Sequence, residues 1–78
     1  MTVDRASQVP IYQQIANELR HLITSGQVPP GGKLPSESEL MAQHGVARLT
    51  ARHAVRVLVA EGLVTVIKGR GAWVRGAA

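Results

Sequence analysis

The 78-residue sequence predicts a small α+β fold, mostly α, made of three helices followed by a β-hairpin. Three observations carry that prediction. Apolar residues recur at helical spacing in three separate segments, glycine and proline punctuate the chain between them, and a β-branched run near the C-terminal end is followed by turn chemistry.

The first helix is expected over about residues 10–25. Pro10 suits a first helical turn, Ile11, Tyr12, Ile15, Leu19, Leu22 and Ile23 follow at three- and four-residue spacing, and Gly26 is the stop. Pro29-Pro30-Gly31-Gly32 cannot continue a helix, and Lys33-Leu34 before Pro35 is at most a short extended piece. Ser36 and Glu39 have capping-box spacing, Leu40 and Met41 supply a small apolar face, and Gly45 can take a left-handed cap, so a second, short helix spans about 37–44. From Ala47 to Glu61, Ala51, Ala54, Val55 and Leu58 fall within about 100° on a helical wheel, and Gly62 closes this third helix. Leu63 to Ile67, the turn Lys68-Gly69-Arg70-Gly71 and Ala72 to Arg75 read as the hairpin. No repeat or linker divides the chain. The expectation is one domain over residues 1–78 with its core at 9–75, and loose ends at Met1 to Ser7 and Gly76 to Ala78.

Composition narrows the function classes. With no cysteine there is no disulfide framework and no thiolate metal site, so the core must supply the stability or a partner must help. The longest apolar run, Val57-Leu58-Val59-Ala60, is far short of the roughly 20 residues that span a bilayer, and no signal-peptide apolar region opens the chain. A soluble, cytoplasmic protein with no membrane partner is expected. The net charge of +4 favours polyanionic partners, and its distribution is uneven. Residues 46–78 carry Arg48, Arg52, Arg56, Lys68, Arg70 and Arg75 against Glu61 alone, while residues 1–45 are close to neutral.

Gly45 and Val46 leave a tight turn between the second and third helices, the spacing of a helix-turn-helix. Arg48, Arg52 and Arg56 then follow at i, i+4, i+8 and cover about 80° of the third helix, away from its apolar face. Such a ridge fits the major groove of a DNA duplex, where arginine can bond guanine O6 and N7 and flanking arginines can hold phosphates. Thr50 and His53 stand beside it. A solvated arginine face is the plain alternative, but three features count against it: no acidic residue lies at i±3 or i±4, a capped helix and glycine turn precede the ridge, and a basic hairpin follows. The hairpin tip, Lys68-Gly69-Arg70-Gly71, puts two cations on a narrow backbone suited to a minor groove or to phosphates.

The ordered set Pro10-Ile11-Tyr12-Gln13-Gln14-Ile15, Gly31 to Glu37 reading G-G-K-L-P-S-E, Gly45-Val46, Arg48, Thr50, Arg52, Glu61-Gly62-Leu63-Val64 and Gly69-Arg70-Gly71 resembles the DNA-binding domain of GntR-family bacterial transcription regulators over about residues 9–75. The resemblance implies a winged helix-turn-helix whose third helix enters the major groove of an operator half-site. It implies that Arg48, Arg52 and Thr50 contact bases and that Lys68, Gly69 and Arg70 form a minor-groove wing. Ser36 and Ser38 join the expected DNA-binding set, Ser38 replacing the arginine that many members carry, which leaves at most a hydroxyl–phosphate bond there. Ala47 replaces the Ser or Thr usual at the third helix's N-cap, and a less ordered helix start is expected. Tyr12 and Trp73 fall at apolar packing positions. Family members resemble two-domain proteins whose C-terminal half binds an effector and makes most of the dimer. No effector site is therefore expected within these residues.

Asp4 is the only aspartate, and no two-carboxylate or Ser-His-Asp arrangement has a plausible buried site, so no enzyme is expected. His21, His44 and His53 lie on three different helices without metal-ligand spacing, as ordinary surface or boundary histidines, and no metal is assigned. Gly31-Gly32-Lys33 resembles part of a phosphate loop, but Leu34 stands where Ser or Thr is needed and Pro29-Pro30 remove two amides from the cradle. No cofactor follows. The expected function is sequence-specific binding of double-stranded DNA by a transcription regulator, a repressor, at a pseudo-palindromic operator that a homodimer would read. The rival from another class is a winged-helix protein-interaction module whose arginine ridge meets an acidic partner.

Overall fold

Helix, helix, helix and hairpin follow one another in the computed structural model, which describes residues 3–76. Helix α1 is Ile11–Thr24, α2 is Glu37–His44, α3 is Arg48–Ala60, and strands β1, Val64–Ile67, and β2, Gly71–Val74, pair antiparallel. Pro10 is the N-cap of α1, its carbonyl accepting from the Gln13 and Gln14 N–H groups at 3.0 and 3.1 Å. In α2 the capping box is complete: Ser36 Oγ accepts from the Glu39 N–H, and the Glu39 carboxylate accepts from the Ser36 N–H, each at 3.0 Å. Gly45 ends α2 with φ +64°, a left-handed conformation in which a Cβ is costly. That turn sets the start of α3.

The core joins one face of each helix to one face of the hairpin. Ile15, Ala16 and Leu19 of α1, Leu40 of α2, and Ala51, Ala54, Val55 and Leu58 of α3 are buried, joined by Val64, Ala72 and Val74 of the hairpin. Leu34 is buried with them. It belongs to a short extended piece on the far side of β2, where Lys33 bridges Trp73, the Leu34 N–H donates to Ala72 O, and the Val74 N–H donates to Gly32 O, both at 2.9 Å. The hairpin is thereby pinned along both edges of β2. Its register pairs Ile67 with Gly71, so the tip is the three residues 68–70 and Gly71 is already strand. Trp73 packs in the hairpin as expected, with Lys33 Nζ 5.7 Å from its ring centroid.

Three expectations need correction. Residues 4–7 are not a loose end. The Asp4 N–H donates to Gln14 Oε1 at 2.7 Å, Gln14 Nε2 donates to Asp4 O at 2.8 Å, and Arg5 Nη2 donates to Gly45 O at 2.8 Å. Arg5 thus satisfies a carbonyl that the end of α2 leaves unpaired, which ties this arm to the turn before α3. Val3, also in the expected loose end, is partly buried against the core, and of the remaining residues Gly76 is exposed while Met1, Thr2, Ala77 and Ala78 lie outside the described residues. His44 is buried rather than at the surface or boundary, with Nε2 3.7 Å from Glu18 Oε2. Finally, Ala47 makes no side-chain cap, yet α3 starts regularly at Arg48, with the Thr50 and Ala51 N–H groups donating to Ala47 O. The reason lies in α2, whose first residue holds the first two turns of α3 through their arginines.

Candidate nucleic-acid interface

That residue is Glu37. Its carboxylate accepts from Arg52 Nε at 2.9 Å and Arg52 Nη2 at 3.3 Å, and from Arg48 Nη1 at 3.1 Å. The bonds from Arg52, seconded by the one from Arg48, hold the Glu37 carboxyl below the ordinary carboxylate range. Two of the three ridge arginines are therefore pre-positioned by one acid. Arg56, a turn further on, is exposed. Sequence reading missed Glu37 because its partners lie on another helix, beyond the reach of any i±4 rule; the only local signal was its place directly after the capping serine.

The ridge forms one wall of a groove of about 750 Å³. Arg48, Arg52 and Arg56 stand on the α3 side, Lys68 and Gly69 on the wing side, and Pro35, Ser36, Glu37 and Ser38 close the end at the start of α2. Val55, Val59, Val66 and Ile67 line it between the basic walls. Seven of the ten residues expected from sequence thus share one concavity: Ser36, Ser38, Arg48, Arg52, Arg56, Lys68 and Gly69. Arg70 is exposed at the hairpin tip. Thr50 and His53 lie on the other flank of α3, beside a separate hollow of about 350 Å³ that Ile11, Tyr12 and Leu49 also line. There His53 stacks on Tyr12, with ring centroids 3.7 Å apart and planes 8° from parallel.

The groove's chemistry is that of an anion-binding surface with donor-rich walls. Its guanidinium forks match acceptor pairs, its serine hydroxyls suit single acceptors, and the tip glycine, Gly69, at φ +78°, lets backbone approach closely. Among the described residues no helix is long and apolar enough to cross a membrane.

Comparison with known proteins places this architecture. Residues 11–74 match the family described as bacterial regulatory proteins, gntR family. The HTH-type transcriptional repressor NagR of Bacillus subtilis is 43% identical over 74 residues, a span that covers 95% of this chain and 30% of NagR. The chain thus spans about a third or less of that relative's length. Among solved structures, YtrA from Sulfolobus acidocaldarius, a GntR-family transcription factor, superposes with a TM-score of 0.87 at 42% identity, over 97% of this chain and 80% of that one. The DNA-binding domain of AraR, crystallised in complex with operator ORX1, superposes with a TM-score of 0.90 at 35% identity, over 95% of this chain and 94% of that one. Three helices, a tight glycine turn, a basic groove beside a hairpin wing and a family match across nearly all of these elements lead to one conclusion: the chain belongs to the gntR family of bacterial regulatory proteins, as a winged helix-turn-helix domain.

Proposed function

We propose that this domain binds double-stranded DNA sequence-specifically and that the protein represses transcription in the cytoplasm by occupying its operator. The observation that carries the reading is the groove in which three arginines of α3 face the wing. NagR's name as a repressor and AraR's complex with an operator support it. In this reading α3 enters the major groove, with Arg48, Arg52 and Thr50 at base edges and His53 at the margin. Arg56, Ser36 and Ser38 meet phosphates, and Lys68, Gly69 and Arg70 follow the minor groove. No catalytic role and no cofactor are assigned. The site is a pseudo-palindrome read by two copies, because one small domain covers only a short half-site. The interaction-module reading is not favoured, since the relatives are named as transcription regulators.

The deciding experiment is selection of binding sites from a random duplex library at near-physiological salt. Any basic domain binds DNA non-specifically, so only enrichment counts. The expected result is a two-fold-related motif. A single half-site would retain DNA reading and remove the dimer. Bulk, salt-sensitive binding without enrichment would overturn the proposal.

A further inference from the structure

Leu49 is 73% exposed, more than any other large apolar side chain among the described residues, the next being Val66 at 52%. An isolated exposed leucine is ordinary on a protein surface. This one stands in the first turn of α3, and at about 100° per residue it lies roughly 20° around the helix from Arg56 and 60° from Arg52. It therefore shares the outward sector of the arginine ridge. On its other side the stacked rings of Tyr12 and His53, with Ile11, make a flat, largely apolar wall to the hollow that Leu49 borders.

Whatever covers Leu49 must also accept the guanidinia beside it. A lipid or an apolar protein face would bury the Arg56 guanidinium without an acceptor and strip water from the Arg48–Glu37–Arg52 cluster beside it, both strongly unfavourable. A DNA major groove offers both chemistries at once: acceptor atoms on guanine and adenine, phosphates at the rims, and the thymine 5-methyl group as its one apolar feature. The end of a groove-bound helix that meets base edges is its N-terminal end, which is where Leu49 sits.

We propose that Leu49, backed by the Tyr12–His53 stack, is a specificity residue that reads a thymine 5-methyl group in each half-site. This rests on the DNA-reading function proposed above. It adds a base identity to it: a thymine beside the bases the arginines contact.

The test uses the selected duplex and the 78-residue chain. Each thymidine of the motif is replaced in turn by deoxyuridine, which removes the methyl group and leaves the hydrogen-bonding edge intact. Binding is measured for the native chain and for Leu49→Ala, which keeps a good helix former at an exposed position. The expected result is one thymidine per half-site whose replacement weakens binding about fourfold, the value of one buried methyl group, with the effect absent in Leu49→Ala. A motif without such a thymidine, or an equal penalty in both proteins, would overturn the inference while Arg52→Ala still weakened binding and so kept the DNA reading. If instead Leu49→Ala changed self-association of the free chain and no thymidine mattered, the residue would belong to a contact between copies and the inference would also fail. A library that yielded no motif would remove both proposals.

Discussion

Glu37 makes the arginine ridge a prepared surface rather than a set of independent cations. Holding Arg48 and Arg52 on one carboxylate reduces the rotamer freedom they would lose on binding, but it places a negative charge among groups meant for phosphates and base acceptors. Glu37→Gln should raise affinity for an unrelated duplex at low salt and lower the ratio of specific to non-specific binding, as fluorescence anisotropy with matched and scrambled duplexes would show. Arg52→Ala should weaken the preferred site by roughly ten- to a hundredfold and relax its sequence preference. Lys68→Ala, on the wing, should weaken all sequences alike and reduce the salt slope by about one. Equal effects of these two substitutions on every duplex would count against base reading by Arg52. The spacing of Arg48, Arg52 and Arg56 was legible in the sequence because it follows helical geometry alone. Their carboxylate partner was not, since 11 and 15 residues separate Glu37 from the two arginines it holds.

At the scale of elements, the ends of α2 and α3 differ in how they are secured. Ser36 and Glu39 satisfy two N-terminal donors within α2, a device complete in four consecutive residues and therefore readable from sequence. Ser36→Ala should cost about 1 kcal/mol, seen as a lowered midpoint in urea unfolding. Ala47 has the extended N-cap backbone, φ −72° and ψ 160°, but no side chain to use it. Ala47→Ser should therefore stabilise the domain by about 1 kcal/mol, raising Tm by roughly 4–8 °C in calorimetry. The arm at residues 4–7 escaped sequence reading for a related reason. Its order comes from Gln14 and from the carbonyl of Gly45, partners that only the packing of α1 against the helix-turn-helix brings near.

The whole molecule is held by a small core and by charge pairs between elements. Leu58 is fully buried, and Leu58→Ala should cost about 2–5 kcal/mol, comparable to the roughly 3–5 kcal/mol that so small a core supplies. The variant should have lost its far-ultraviolet helical signal at 25 °C. These pairs and the α2 cap predict a loss of stability in acid. Arg52 lowers the Glu37 carboxyl, the Ser36 N–H lowers Glu39, and Arg20 lowers Glu61, which it grips in a bidentate pair at 2.9 and 2.6 Å. A carboxyl whose folded pKa is depressed adds stability above its ordinary value, and that stability is lost as pH falls through the folded value. These contributions should thus be present at neutral pH and disappear as pH drops below about 4.5, the ordinary value. Tm followed from pH 6 to pH 3 should fall, and fall less steeply in Glu61→Gln. An unchanged slope would assign acid sensitivity to other groups.

The sequence by itself determined the order of elements, the three glycine-closed helix ends, the α3 core face and the arginine ridge, because each depends on backbone preference or periodicity within one short segment. Only the tertiary structure decided the Glu37 clamp, the anchored arm, the buried His44, the pairing of Lys33-Leu34 with β2 and the company Leu49 keeps. Each of these depends on a distance between residues far apart in the chain. Such distances are set by how the helices pack, which no local rule encodes.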